Sequence, residues 1–150
     1  SRIVSVSGLY CEVIAFASYN HMKGYFGNIE KETEENRDYR RVLYTAKHSQ
    51  LVLMRLRPLE EIGEEVHHVD QFFRFETGNG KVVIDGNQYT VTDGDAIIVP
   101  AGSKHNVMNT SPDTSMTLYS IYSPPQHIDE TVHATKADET EEHFNGETTE

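Results

Sequence analysis

The chain has 150 residues and a formal net charge of −11, with 24 acidic and 13 basic side chains. This length fits one domain that buries most of its apolar surface without disulfide staples. An acidic chain without a basic stripe is a poor candidate for binding nucleic acid, and no apolar run approaches the roughly 18 residues of a membrane span. We therefore expect no nucleic-acid partner and no membrane span.

The cysteine content bears on the compartment. Cys11 is the only cysteine, so the chain can form no internal disulfide. The core therefore needs no oxidising environment. These observations predict a cytoplasmic protein.

Residues 1–24 are predicted to be an N-terminal extension, with three interpretations. Ala15-Phe16-Ala17 has the small-x-small pattern of a signal-peptidase site, although Glu12 interrupts the apolar block and Arg2 alone supplies a basic region. Alternatively, His21-Met22 marks a cloning junction and Met22 is the natural start. The third interpretation is an extra edge strand that covers one sheet. All three stay open.

Short apolar and β-branched runs predict strands through the middle of the chain. In order they are 41–45, 51–56, 72–76, 81–84, 88–91, 96–99 and 116–123. Asp85-Gly86-Asn87 lies between two of these runs and is a strong hairpin signal. The charged residues 31–41 predict a loop or one helical turn, and we expect no helix before the C-terminal tail. Strands at this regular spacing predict an all-β sandwich or barrel.

The C-terminal residues 126–150 are predicted to be an extension that ends in a flexible acidic tail. Residues 137–150 contain six acidic side chains and no Lys or Arg, which is typical of solvated, mobile segments. His127 and His133 follow the Pro124-Pro125 pair. We expect them in a solvent-exposed tail, and the alternative is that they fold over the mouth of a barrel.

Four side chains with metal-ligating atoms lie in two separated stretches. Glu65 and His67 are two residues apart, so on a strand they point to the same face. Gln71 follows across a predicted turn, and His105 begins a strand after the Pro100-Ala101-Gly102 corner. Carboxylate, imidazole and amide groups suit Zn²⁺, Mn²⁺, Fe²⁺ or Ni²⁺. We predict that the four converge inside a barrel and bind a divalent metal. The alternative is a hydrogen-bonded polar patch.

Residues 63–109 resemble the two motifs of the cupin superfamily. The second motif, G-x5-P-x-G-x2-H-x3-N, is matched without a gap by Gly94, Pro100, Gly102, His105 and Asn109. The first motif, G-x5-H-x-H-x3,4-E-x6-G, matches in spacing but not in every residue. If Gly78 is its final glycine, His67 is its second histidine. Glu65 then replaces the first histidine and Gln71 the glutamate, and the opening glycine is displaced to Gly63.

The resemblance implies a cupin-type double-stranded β-helix, a jelly-roll barrel, over residues 25–125. The chain is most similar to small single-domain cupins described as mannose-6-phosphate-isomerase-like. This similarity implies a divalent-metal site and favours an isomerase acting on a sugar or sugar phosphate. Two alternatives remain, an Fe²⁺- or Ni²⁺-dependent dioxygenase and a non-enzymatic cupin that binds a small polar molecule.

Residues near the motifs give further expectations. His68 and Lys104 should point away from the metal, because side chains alternate along a strand. Phe72 should face away from the cavity, and its need for cover hints at a homodimer. Tyr44, Arg55, Tyr119 and Tyr122 are possible cavity liners, and His48 is expected in a turn. A phosphosugar would need a basic pocket, for which the candidates are Arg55, Arg57, Arg74, Lys81 and Lys104.

Overall fold

The structure is a computed structural model and describes residues 23–150. The three interpretations of residues 1–21 lie outside this range. The elements in chain order are α1 (Ile29–Glu35), β1 (Arg40–Thr45), β2 (Gln50–Leu56), β3 (Glu65–Val66), β4 (Asp70–Thr77), β5 (Asn79–Ile84), β6 (Asn87–Thr92), β7 (Ala96–Val99), β8 (Lys104–Asn109), β9 (Met116–Ser123), β10 (Val132–His133) and a 3-10 helix (Lys136–Asp138). The prediction of an all-β domain is confirmed.

The strands form two antiparallel sheets. The larger sheet has the order β10-β1-β2-β9-β4-β7, and the smaller has the order β3-β8-β5-β6. Neighbours in these sheets are distant in sequence, as β9 with both β2 and β4. This arrangement is the jelly roll predicted from the resemblance.

The hydrophobic core lies between the sheets. On β4 the side chains of Phe73 and Phe75 are buried and come from alternate positions, as a half-buried strand requires. The smaller sheet contributes Val82 and Val107, both fully buried. Gln71 shares the inward face of β4 and is 1% exposed. The strand that fills the core therefore also presents a polar side chain to the interior.

The hairpin predicted at residues 85–87 is present and also positions β8. Ile84 pairs with Asn87, so the turn has Asp85 and Gly86 at its centre, both with positive φ (46° and 83°). Such angles match the twist of two-residue hairpins. The Asp85 side chain accepts a hydrogen bond from the backbone N–H of Lys104 at 2.9 Å. The turn therefore anchors the start of the strand that carries His105.

The helix α1 differs from the sequence prediction. Residues 29–35 form a seven-residue α-helix where we expected a loop or one helical turn, and no helix was expected before the tail. Asn28 caps it by accepting a hydrogen bond from the Lys31 backbone N–H at 3.0 Å, and Glu30 and Glu32 lie in the first turn. Both are helix-start signals. These signals were overlooked because the segment is highly charged and has little apolar pattern. Only Thr33 of this helix is buried.

The C-terminal segment makes hydrogen bonds within itself and to the barrel. Phe144 donates its backbone N–H to the Gln126 carbonyl at 2.9 Å, and Thr149 bonds the backbone of Thr45. Further back, Glu139 pairs with Arg40 at 2.7 Å. The segment is thereby placed across one end of the barrel. The flexibility expected of this tail and the boundary at residue 125 stay predictions.

Candidate metal centre

The two motif stretches are fastened to each other by backbone contacts. The short strand β3 pairs with β8 so that Glu65 is the direct partner of His105. Just after β3, the His67 carbonyl accepts a hydrogen bond from the Gly102 backbone N–H at 2.7 Å. Gly102 has a φ of 85°, a conformation that glycine adopts without strain. The corner of residues 100–102 therefore aims β8 back at the strand that carries Glu65.

Three of the four predicted ligands converge. One ligand atom each from Glu65, His67 and His105 lies within 4.8 Å of the others. Glu65 Oε2 is 3.0 Å from His67 Nε2 and 4.0 Å from His105 Nε2, and the two imidazole centroids are 5.3 Å apart. One carboxylate and two imidazoles at this spacing form a set that suits a divalent transition metal.

The environment of His105 fits a metal ligand. Its Nδ1 lies 3.0 Å from the Ser103 carbonyl oxygen, which can only accept, so Nδ1 carries the proton and Nε2 presents a lone pair in the neutral ring. His105 is 3% exposed, and its Nε2 has no hydrogen-bond partner within residues 23–150. Metal-ligating histidines are held in this way by a carbonyl on the opposite nitrogen. Of the observations on this cluster, the buried nitrogen without a hydrogen-bond partner fits a metal ligand best.

The fourth predicted ligand, Gln71, lies on the adjoining sheet. Its register partners are Val99 and Tyr122, and its side chain interacts with the Tyr122 hydroxyl. Gln71 Oε1 is buried and also has no hydrogen-bond partner in the described part of the chain. An amide oxygen in this condition suits a metal ligand, because a buried polar atom without a partner is costly.

A tyrosine–histidine pair adjoins the cluster. The Tyr122 ring packs edge-on against His67 at 5.7 Å, and the Tyr122 hydroxyl oxygen is 3.2 Å from His127 Nε2. Burial raises the pKa of Tyr122, so the hydroxyl stays protonated at neutral pH. Burial, and next the charge of Arg40, lower the pKa of His127 to about 3, so the imidazole is neutral.

The two histidines after Pro124-Pro125 correct the sequence prediction. They were expected in a solvent-exposed tail, yet His133 is 7% exposed and pairs with β1 as part of β10. His127 is half-buried and its backbone N–H and carbonyl both bond the buried Gln50 side chain. The sequence concealed this placement because the partner Gln50 lies far away along the chain.

Two cavities lie against Glu65 and His67 of the cluster. One has a volume of about 530 Å³ and reaches from His67 to Phe144, and the other has about 480 Å³ and reaches from His67 to Glu139. Both are lined by Glu65, His67, Gln126 and His143. Volumes of this order hold small organic molecules. The C-terminal segment forms part of both walls.

The sequence analysis did not identify Arg40, the arginine in the wall of the smaller cavity. Arg40 lines the smaller cavity together with Glu65 and His67. Neither cavity is lined by any of the five basic candidates for a phosphate pocket. Lys104 pairs with Glu64 at the surface, Arg74 lies beside Glu76, and Arg55 and Arg57 line a separate pocket. Arg40 was overlooked because it lies outside the motifs, at the start of β1.

The structure also gives the positions of the other residues named in the sequence analysis. His68 and Lys104 are exposed, as the alternation predicted. Tyr44 accepts a hydrogen bond from Gly24, and Tyr119 packs against Phe72 with ring centroids 6.2 Å apart, so neither lines the cavities above the cluster. His48 is exposed in the bend between β1 and β2. Among residues 23–150 there is no helix of the length and apolarity that crossing a bilayer takes.

Known proteins with related sequences and structures agree with this fold. The family model described as Cupin domain matches residues 52–122. The uncharacterized protein YrkC of Bacillus subtilis is 47% identical over 123 residues, which cover 77% of this chain and 66% of that protein. The chain thus spans just under two thirds of this relative's length.

Solved structures extend the comparison. BH2720 from Bacillus halodurans superposes with a TM-score of 0.75 at 46% identity, over 77% of this chain and 92% of that one. An RmlC-like cupin from Shewanella frigidimarina superposes with a TM-score of 0.53 at 22% identity, over 57% of this chain and 74% of that one, and shows the fold alone. The chain belongs to the cupin superfamily, and its described part folds as one small cupin domain.

Proposed function

We propose that Glu65, His67, Gln71 and His105 bind a divalent metal and that the loaded site isomerises a small polar carbonyl compound of the sugar type. The observation that carries the proposal is the buried Nε2 of His105, which lacks a partner in the described residues and lies 4.0 Å from Glu65 Oε2. Zn²⁺, Mn²⁺, Fe²⁺ and Ni²⁺ all accept this donor set.

The chain's own groups support proton-transfer chemistry. A bound divalent metal would polarise the substrate carbonyl and stabilise negative charge that develops on its oxygen. The Tyr122 hydroxyl holds a proton and lies in hydrogen-bond contact with His127, which lines the smaller cavity, so the pair can relay a proton toward a substrate oxygen there. His127 orients that hydroxyl from 3.2 Å, and with a pKa of about 3 it is too weak a base to keep the proton.

The cavity size and the lack of a cluster of basic residues in its walls narrow the range of possible substrates. A volume of about 480–530 Å³ accommodates a molecule the size of a monosaccharide. The basic candidates for a phosphate pocket lie outside both cavities, so a sugar phosphate is less well supported than an unphosphorylated compound.

The first experiment measures metal binding. Purified protein is supplemented separately with Zn²⁺, Mn²⁺, Fe²⁺ and Ni²⁺, and bound metal is measured by mass spectrometry. The loaded protein is then incubated with aldoses and ketoses in D₂O, where isomerisation places deuterium on the carbon next to the carbonyl. His105→Ala should abolish both signals, and His48→Ala, a change at an exposed histidine that lines neither cavity, should preserve them.

Other outcomes decide against the isomerase. Oxygen consumption with diketones or flavonols, without deuterium incorporation, would identify a dioxygenase. Stoichiometric metal without turnover of either kind would indicate a binding protein. If no metal binds after supplementation, the whole proposal is wrong.

Association into a homodimer is part of the proposal. The Phe72 side chain faces away from the core and packs on Tyr119. Its register partner Ile98, on the edge strand β7, is 66% exposed. Apolar side chains at a sheet edge favour pairing with a second copy. Light scattering of the wild type and of Ile98→Lys tests this, because the variant should be monomeric.

A further inference from the structure

Arg40 is a buried cation in the wall of the smaller cavity. It is 3% exposed and lies at the start of β1, and the cavity it lines also contains Glu65 and His67. Its Nη1 is 2.7 Å from Glu139 Oε2 and 3.3 Å from His133 Nδ1. Its Nε is buried and has no partner in the part of the chain that the structure describes.

The guanidinium is therefore only partly satisfied. Arginine presents parallel N–H donors that match both oxygens of one carboxylate. Glu139 engages Nη1 through Oε2, while Nε keeps an unused donor. Leaving a buried charged donor without a partner is unfavourable. Nε–H points to the side of the guanidinium away from Nη1, so the two donors that a carboxylate from the cavity could bridge are Nη1 and Nη2, where Glu139 now makes one hydrogen bond to Nη1.

The present partner comes from a surface segment. Glu139 follows the 3-10 helix of residues 136–138 and is 31% exposed, in contrast to Arg40. The adjoining residues Glu141, Glu142 and His143 line the same cavity. Displacement of Glu139 would open this wall without disturbing the sheets, because it is not part of a strand.

We propose that Arg40 forms a binding subsite for the carboxylate of a small organic acid, and that Glu139 occupies this subsite when the acid is absent. This proposal rests on the proposed function, whose substrate class it narrows to carbonyl compounds that carry a carboxylate. The carboxylate pairs with Arg40 while the rest of the molecule extends toward Glu65 and His67.

A carboxylate fits this position better than a phosphate. Arg40 supplies one positive charge, which balances one carboxylate, and the group that occupies it now is itself a carboxylate. A phosphate dianion would need further cations or a cradle of backbone N–H groups. The basic residues that could have supplied them lie outside both cavities.

The experiment uses the whole chain and the probe malonate, measured by isothermal titration calorimetry on chelator-treated protein. Glu139→Ala should bind malonate about tenfold or more tightly than the wild type, since a competing charge-assisted hydrogen bond is removed. Glu141→Ala is the matched control. It removes one carboxylate from the same wall without touching Arg40, and its affinity should change by less than about twofold.

Thermal unfolding gives a second readout. Glu139→Ala should melt at a lower temperature than Glu141→Ala because it leaves Arg40 unpaired. Malonate should restore the melting temperature, and chloride at equal ionic strength should not. The double variant Arg40→Gln with Glu139→Ala should lose both the tight binding and the rescue.

Two results would overturn the subsite. One is equal malonate affinity in the wild type, Glu139→Ala and Glu141→Ala. The other is tight binding retained after Arg40→Gln. Because these measurements need no metal, failure of the subsite can be distinguished from failure of the proposed function. Malonate rescue without any metal binding would support the subsite and contradict the proposed function. Metal binding without malonate rescue would contradict the subsite and leave the proposed function supported.

Discussion

Glu65 and His105 are direct partners in the antiparallel register of β3 and β8, with Glu65 Oε2 4.0 Å from His105 Nε2. Side chains opposite each other in such a pair have Cβ atoms about 4.5–5.5 Å apart. The register alone therefore brings the acid of one motif against the imidazole of the other. It also explains why glutamate can replace the family's first histidine, since the position faces His105 whatever residue fills it.

The first prediction concerns these imidazoles. His67→Ala and His105→Ala should each lower metal affinity by more than about 100-fold, because even changes to groups that support ligands cost 10–100-fold. The fold should be retained, since His67 lines the cavities and the buried His105 makes one side-chain hydrogen bond, to the Ser103 carbonyl. Metal competition titrations and circular dichroism measure the two effects. An unchanged affinity in either variant would exclude that residue as a ligand.

Gln71→Glu restores the residue that the cupin motif has at this position. Without metal the variant should be less stable than the wild type, because a buried carboxylate replaces a neutral amide. With metal, the added negative charge should tighten binding by about tenfold or more. Gln71→Leu, of similar size, is the control and should weaken binding. If Gln71→Glu and the wild type bind metal equally, Gln71 does not reach the ion.

Asn109, the last residue of the second motif, has a structural role. Its Nδ2 donates to the carbonyls of Leu56, Arg57 and Thr114, and its Oδ1 accepts from the Ser111 backbone. The side chain is 2% exposed. Removing these bonds in Asn109→Ala should lower the free energy of unfolding by about 2–4 kcal/mol, since buried carbonyls lose partners.

A graded control for Asn109 is available on the same strand. Asn106 Oδ1 accepts one hydrogen bond, from the Gly63 backbone N–H at 2.9 Å. Asn106→Ala should therefore cost about 1 kcal/mol in urea unfolding, well below the cost of Asn109→Ala. Equal losses in the two variants would contradict the structural role assigned to Asn109.

The half-buried His127 predicts a pH dependence of stability. Its pKa falls from 6.5 to about 3 on folding, so the unfolded chain binds the proton more readily between these values. The stabilisation is present above pH 6.5 and is lost as the pH falls toward 3, by up to about 1.4 kcal/mol per pH unit. His127→Gln should remove this dependence.

The measurement for His127 is the difference in unfolding free energy between the wild type and His127→Gln at several pH values. Contributions from carboxylates cancel in this difference. It should shift in favour of the variant as the pH is lowered from 6.5. A difference that is constant with pH would mean that His127 titrates alike in the folded and unfolded chain.

Much of the fold could be predicted from local sequence patterns. The turn of Asp85 and Gly86 needs positive φ at both positions, which this dipeptide tolerates, so the hairpin was predicted correctly. Likewise the alternation of Gln71, Phe73 and Phe75 predicted one inward face of β4. The helix of residues 29–35 was missed because its stabilising features, a cap and acidic residues, resemble a charged loop.

The sequence by itself determined the family, the order of the two motifs along the chain and the residue types at Glu65, His67 and His105, because each depends on spacing along one or two strands. Only the tertiary structure decided what surrounds that cluster. Arg40, Tyr122, His127 and Glu139 meet near it through pairings between strands and segments far apart in the chain, such as β1 with β10 and Arg40 with Glu139. Spacing within a short stretch carries no information about such contacts, since they are set by the packing of the whole barrel.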